Sequence, residues 1–371
     1  MDVGIRDITI VGVGLIGGSL GKAWRAESDY DLTITGVDLP SVLERAVSVG
    51  AIDVAEPDLQ SGVRKADLVV LATPLSRILH LLGEISDHLK DDAVVTDVGS
   101  VKRAIAEHAS AILGPDTLFV GGHPMAGSEK TGIDYSDPFL FENATYVICP
   151  PPDSSSDDRR LESLVTLLEA TGARVLPMSP TEHDEIAAFV SHLPQLLAVC
   201  LTNIAAQRNE TDRNYLRLAA GGFRDMTRVA SSDFAIWKDI LSGNQGPLLD
   251  ALAALAAELQ KTRNRVIEDD LDALQISFRD ARTARETIPK DSKGFIRPLA
   301  DVYVRADDRP GWIATTARLL AEANINIMDM ELLKVREGTG GTFRFAFGDR
   351  KTAEAAARLL TEAGYSVYRH D

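Results

Sequence analysis

The chain has 371 residues, 45% of them hydrophobic and 25% charged. This length suggests two or three domains with cores that need no covalent staples. The formal net charge of −16 disfavours nucleic acid or an anionic membrane as a partner, so an anionic substrate would need a local basic cluster. The two cysteines, Cys149 and Cys200, share no motif spacing, and neither a disulfide framework nor a metal site is expected. No run is read as apolar enough to span a bilayer. The opening Met1-Asp2-Val3-Gly4 lacks signal-peptide features, which points to the cytoplasm.

Short β-branched runs separated by helical stretches fill the first part. They are Ile8–Val11, Leu32–Val37, Asp67–Leu71, Ala93–Val98, Thr117–Val120, Thr145–Ile148 and Arg174–Leu176. This rhythm predicts βαβ units and a largely parallel, doubly wound sheet over residues 1–178. Ser179-Pro180-Thr181-Glu182 then reads as a capping-box helix start, and a helical pattern continues to about Ile288. An all-α domain over 179–290 is expected. Thr287–Pro298 reads as a linker. Residues 297–371 follow a β-α-β-β-α-β order with Gly338-Thr339-Gly340-Gly341 as the hairpin turn, a ferredoxin-like α+β unit.

Gly12-Val13-Gly14-Leu15-Ile16-Gly17 follows a strand and opens a helix. Gly12 permits the tight turn, Gly14 a close backbone approach to a pyrophosphate, and Gly17 helix–strand packing; the helix start at Leu15 and Ile16 offers N–H groups to the phosphates. Asp38 ends the second strand about 20 residues further on, where a carboxylate accepts the ribose hydroxyls of NAD and repels the 2′-phosphate of NADP. Thr73-Pro74 ends the third strand at the same crevice. Pro74 is either near the nucleotide or simply a helix start.

Ser100, in Asp97-Val98-Gly99-Ser100-Val101-Lys102, is either a site hydroxyl or the N-cap of a helix beginning near Val101. His123, in Gly121-Gly122-His123-Pro124, is read in a glycine-rich loop at a strand end. An imidazole beside a nicotinamide is the usual proton acceptor when an alcohol loses hydride. Pro194 should kink a helix next to His192, which either points into a site or lies on a solvated face. Arg224 and Arg228 follow Gly221-Gly222 at i, i+4 spacing. They form either a surface salt-bridge face with Asp225 or an anion clamp.

With these motifs in order, the first 290 residues or so resemble the prephenate dehydrogenase family of tyrosine biosynthesis. The resemblance rests on GVGLIGGS at Gly12–Ser19, DVGSVK at Asp97–Lys102, GGHPMAGSEKTG at Gly121–Gly132, SHLPQ at Ser191–Gln195 and GGFRDMTRVASSDFAIWKDI at Gly221–Ile240. It implies a Rossmann-type domain, an all-α dimerisation domain and a homodimer. It also implies NAD-dependent oxidative decarboxylation of prephenate to 4-hydroxyphenylpyruvate, with His123 as the catalytic histidine and Ser100 orienting it. By the same resemblance Arg228 clamps a substrate carboxylate, and His192 lines the pocket. Ser128 and Glu129 sit at the pocket mouth, Trp237 lies near it, and Gly221 enters the partner subunit's site. Arg224 stands where some relatives carry lysine.

The last part resembles an ACT domain, with Asp308-Arg309-Pro310-Gly311 in its strand-to-helix loop, and implies feedback inhibition by tyrosine. The alternative there is a module that only strengthens dimerisation. Alternatives for the whole chain are an arogenate or dual-specificity cyclohexadienyl dehydrogenase and a non-catalytic NAD- and amino-acid-sensing protein. A β-hydroxyacid dehydrogenase is disfavoured because no catalytic lysine is found in the helical part.

Overall fold

The computed structural model describes residues 4–26, 30–127, 130–152, 158–287, 299–307, 309–336 and 340–368. Ser128, Glu129, Asp308, Gly338, Thr339 and the linker 288–298 lie outside the described residues. Chain contacts divide the protein into two compact units, Met1–Ser277 and Phe278–Asp371.

The first unit begins with alternating strands and helices: β1 (Asp7–Val11), α1 (Leu15–Ala26), β2 (Thr33–Val37), α2 (Pro40–Ser48), β3 (Val54–Ala55), α3 (Leu59–Val63), β4 (Leu68–Leu71), α4 (Leu75–Ile85), β5 (Val94–Asp97), α5 (Arg103–Ile112), β6 (Leu118–Pro124), β7 (Thr145–Cys149), α6 (Arg159–Ala170) and β8 (Arg174–Pro177). The sheet order is β3-β2-β1-β4-β5-β6-β7-β8, parallel throughout except between β6 and β7. Successive side chains on a strand face opposite ways, and each face carries its own core. Ile8, Ile10, Leu68, Val70, Leu118 and Val120 pack with Leu20, Trp24 and Leu164. Val11, Val69, Leu71, Val95 and Phe119 pack with Ile78, Leu82 and Ile105 on the other face. Strand order reverses between β1 and β4, which opens a crevice beyond their carboxyl ends.

Seven helices follow: α7 (Pro180–Ala187), α8 (Leu193–Thr211), α9 (Asn214–Arg217), α10 (Gly221–Thr227), α11 (Phe234–Gly243), α12 (Gln245–Ile267) and α13 (Leu271–Thr287), which crosses the unit boundary. The Ser179 side chain accepts the Glu182 N–H, as the capping pattern requires. Pro194 lies inside a continuous helical run and does not end it. The residues before it, Ala188–His192, widen into a π turn in which Leu193 N–H reaches back to the Ala188 carbonyl. This turn absorbs the missing proline N–H and joins α7 to α8.

The joined run Pro180–Thr211 is therefore long and apolar enough, by length and composition, to cross a membrane, which corrects the expectation from sequence. Its buried polar residues His183, Asp184, His192 and Gln195 are each hydrogen-bonded to protein, so one face of the run is committed to protein contacts.

In the second unit, β9 (Ala300–Ala306), α14 (Trp312–Glu322), β10 (Asp329–Arg336), β11 (Gly340–Phe347), α15 (Arg350–Glu362) and β12 (Val367–Tyr368) form an antiparallel sheet in the order β10-β11-β9-β12. Gly340 and Gly341 belong to β11, paired with Arg336 and Val335, and not to the turn assigned to them from sequence. Val302, Val304, Phe345 and Phe347 of the sheet pack against Trp312, Leu320, Ala356 and Leu360.

Candidate active site

The crevice at the β1/β4 reversal is built from strand ends. Gly12 has φ +95°, and a Cβ there would meet the Ala72 carbonyl oxygen at 2.6 Å. A Cβ on Gly17 would meet the Gly12 carbonyl oxygen at 2.2 Å, whereas Gly14 faces open space. The first and third glycines thus let α1 pack on the sheet, and the second leaves room for a ligand. Leu15 and Ile16 form the first turn of α1. Asp38, just past β2, accepts the Val13 N–H at 2.8 Å and the Leu39 N–H at 2.7 Å, tying the glycine turn to the carboxylate.

A cavity of about 290 Å³ is lined by Gly12, Asp38, Leu39, Thr73 and Arg77 among others. The Thr73 hydroxyl, just past β4, is buried there without a hydrogen-bond partner. Pro74 is exposed and is the N-cap of α4, the helix-start arrangement. Turn, open approach, carboxylate and unpaired hydroxyl together fit a dinucleotide.

His123 is not in a loop. It lies within β6, on the portion that outruns β5 and pairs antiparallel with β7, opposite Val147. The flanking glycines bring this strand against its neighbour: a Cβ on Gly122 would lie 2.4 Å from the Asp97 carbonyl oxygen. Below it, the fully buried Lys102 ammonium pairs with the Asp97 carboxylate and donates to the Gly122 carbonyl at 2.6 Å. Asp97 also accepts the N–H groups of Gly99, at 2.8 Å, and Gly122, at 3.1 Å. The motif Asp97–Lys102 therefore fixes the backbone that carries His123.

The His123 ring is half-buried and reaches α7. Its Nδ1 lies 2.7 Å from His183 Nε2, and His183 Nδ1 lies 2.8 Å from Asp184 Oδ1. Burial, then the neighbouring His183, Lys102 and His192 charges, hold the His123 pKa well below the usual 6.5. His123 is neutral at physiological pH, the form a base requires. Asp184 also accepts the Lys102 N–H at 2.8 Å and the Arg103 N–H at 3.0 Å. These are free donors at the start of α5, so Asp184 does the capping offered from sequence to Ser100. Ser100 is half-buried, ahead of the N-cap residue Lys102, and is not a cap.

His192 is buried in the π turn, which removes the solvated-face alternative. The Asn244 amide donates to the Asp184 carbonyl at 2.7 Å and lies 3.2 Å from His192 Nδ1, the geometry of an amide donor to an unprotonated ring nitrogen. Burial brings the His192 pKa down to about 4. Trp237 of α11 meets the His192 ring edge to face, with centroids 6.0 Å apart.

Arg224 is in α10, but Arg228 lies just past its end, in a 3-10 turn, and both are exposed. Among the described residues neither pairs with Asp225, which leaves the surface salt-bridge face without support. Arg224 donates to the Ala219 carbonyl at 3.3 Å. Gln195 of α8 donates to Val229 O at 2.9 Å and so holds the turn that carries Arg228. Gly221, the first residue of α10, is exposed and faces open space.

In the second unit, Gly311 has φ +83° as the N-cap of α14. A cavity of about 540 Å³ is lined by Asp307, Arg309, Gly311, Trp312, Leu332 and Phe343 among others. Pro310 lies between two of these residues in the chain. Trp312 stacks on Phe343 with centroids 5.2 Å apart.

Residues 20–177 match the family model described as prephenate dehydrogenase, nucleotide-binding domain, and 179–280 match its dimerization domain. The chain belongs to the prephenate dehydrogenase family. Residues 300–365 match the ACT domain. The prephenate dehydrogenase of Bacillus subtilis (strain 168) is 37% identical over 365 residues, 96% of each chain. The crystal structure of the A. aeolicus prephenate dehydrogenase, in complex with hydroxyphenyl propionate and NAD+, superposes with a TM-score of 0.71 at 31% identity, covering 76% of this chain and 98% of that one. The Synechocystis arogenate dehydrogenase superposes at 0.68 with 32% identity, covering 76% and 99%.

Within this prephenate dehydrogenase fold, sequence reasoning missed His183, Asp184 and Asn244, and it missed the buried pairing of Asp97 with Lys102. A signal existed for the first two. An adjacent His-Asp pair lies one turn inside a well-capped helix, where a carboxylate at a helix start is ordinary but an imidazole is not. Asn244 carried none, because it looks like an ordinary helix-end residue.

Proposed function

We propose that the chain is an NAD-dependent prephenate dehydrogenase. The observation that carries this is the His123 imidazole, held by His183 on the β6 extension at the carboxyl edge of the sheet where the dinucleotide crevice opens. When bound at Gly12–Gly17, NAD supplies the hydride acceptor, and the Asp38 carboxylate favours it over its 2′-phosphorylated form. As hydride leaves the ring carbon bearing the hydroxyl, His123 Nε2 takes the hydroxyl proton. The ring carboxylate then departs as carbon dioxide, its bonding electrons complete the aromatic ring, and the oxygen recovers a proton as a phenol. Aromatisation makes the step favourable, so the protein's task is orientation and proton handling. Ser100 orients the hydroxyl, Arg228 holds a substrate carboxylate with Arg224 adding positive charge, and His192 and Trp237 wall the pocket. Ser128 and Glu129 are assigned to its mouth by family resemblance alone.

The active form in this reading is a homodimer through the helical part, with Gly221 facing the partner's site. Val190, Ile204, Leu218 and Phe234 leave apolar surface exposed there. The ACT unit takes an amino-acid effector, tyrosine, in the cavity at Asp307–Trp312. Trp312 and Phe343 offer an aromatic wall and Arg309 a carboxylate partner.

The test is NADH formation with prephenate and with arogenate in parallel, each with NAD and NADP, with and without tyrosine. Turnover of prephenate with NAD supports the reading. Turnover of arogenate alone keeps the chemistry and changes the substrate. Turnover of neither removes the enzyme reading. His123→Asn is expected to lower turnover by about two to four decades while NAD still binds.

A further inference from the structure

A base must present a lone pair, and an imidazole has two nitrogens that compete for one proton. Which nitrogen of His123 is free is decided two residues away. The buried Asp184 carboxylate has only acceptor atoms, and its contact with His183 Nδ1 at 2.8 Å requires the proton on that nitrogen. His183 Nε2 is then a lone pair. Its contact with His123 Nδ1 at 2.7 Å requires the proton to come from His123. His123 Nε2 is thereby left unprotonated. The assignment follows from the hydrogen-bond network.

We propose that Asp184 and His183 are positioning residues that fix His123 in the Nδ1–H tautomer and share the charge it gains. This rests on the reading of His123 as the base. As His123 Nε2 takes the substrate proton, its Nδ1 proton can pass to His183 Nε2, which leaves imidazolium on His183 against the Asp184 carboxylate. The same protons return when the phenolate oxygen is reprotonated, so nothing is consumed. The charges of Lys102 and His192 disfavour positive charge on His123. Lys102 is a cation paired with Asp97, and His192 adds a second imidazole. Asp184 is the anion in contact with the relay. The N–H groups of Lys102 and Arg103 at the start of α5 hold it in place.

The arrangement was reached by three separated parts of the chain: β6 brings His123, α7 brings the His183–Asp184 pair, and the start of α5 anchors the carboxylate. Both residues are buried, so neither is available as a substrate ligand at an open surface.

The test uses the full-length protein with His183→Leu, His183→Gln and Asp184→Asn. Leucine removes the acceptor; glutamine restores an oxygen that accepts the His123 Nδ1–H but cannot take its proton. Turnover of His183→Leu should fall about 100-fold, with the Michaelis constant for prephenate and the affinity for NAD within about threefold of wild type. His183→Gln should recover about tenfold of that loss, and Asp184→Asn should move the acidic limb of the rate profile to lower pH. The ¹⁵N–¹H spectrum of wild-type protein should show His123 protonated on Nδ1, and His183→Leu should lose that signature.

A wild-type His123 protonated on Nε2, or a folded His183→Leu variant with turnover within threefold of wild type, overturns the proposal. If Asp184→Asn does not fold, the His183 pair and the wild-type spectrum still decide. If wild type turns over neither prephenate nor arogenate, the functional reading fails, and the spectrum separately decides the tautomer.

Discussion

Lys102 and Asp97 form a fully buried ion pair directly beneath the strand that carries His123, and the same ammonium holds the Gly122 carbonyl. Removing one partner of such a pair leaves an uncompensated buried charge, which costs about 3–5 kcal/mol. Lys102→Met is therefore expected to lower the melting temperature sharply, and it should lower turnover even under conditions where it remains folded, because β6 loses its anchor. Thermal unfolding alongside steady-state rates checks both. Melting within a degree or two of wild type would show that the pair contributes little to stability.

His192 gives the protein an acid sensitivity of definite sign. Its folded-state pKa of about 4 lies below the usual 6.5 because burial disfavours the charged ring. Between these values the unfolded chain binds the proton and the folded chain does not, so stability falls as pH drops from about 6.5 toward 4. His123, shifted in the same direction, adds to the slope. Denaturant unfolding across this range should give a decreasing midpoint toward acid, and His192→Gln should flatten the slope. A slope unchanged by the substitution would count against a buried neutral His192.

Asp38→Ala should weaken NAD binding by about tenfold, the cost of a lost charged hydrogen-bond acceptor, and should narrow the preference over NADP. Because Asp38 also accepts the Val13 and Leu39 N–H groups, a modest loss of stability should accompany it. Nucleotide titration by fluorescence reads the first effect and thermal melting the second. An unaltered preference would place the discrimination elsewhere.

Arg228→Ala should raise the Michaelis constant for prephenate by about tenfold to a hundredfold, the worth of a charge-assisted contact, and should change turnover less. Arg228 donates to no carboxylate among the described residues, so its removal leaves no buried anion and little stability should be lost. Steady-state kinetics with folded variant protein is the measurement. An unchanged Michaelis constant would remove the clamp.

Periodicity and glycine spacing make the strands and the nucleotide turn legible in the amino-acid sequence. Each rests on local constraints: alternation along β1 and β4, the left-handed Gly12, and a capping serine bonded to its own helix. His123 is legible as a residue but not as part of a strand. The pairing of Gly121–Pro124 with β7 depends on a partner more than 20 residues away that reverses the local direction of the sheet. Pro194 suggests a kink in a helix, but not the π turn that precedes it, whose two sides are held by the protein contacts of His192 and Gln195.

The sequence by itself determined the α/β rhythm, the helical middle, the ferredoxin-like end and the residue types of a dehydrogenase site, because turns, caps and side-chain periods act over a few residues. Only the tertiary structure decided which of these groups touch. His123 comes from β6, His183 and Asp184 from α7 and Lys102 from the start of α5, and their contacts join the three elements. Those contacts exist only once the helical run has packed against the sheet.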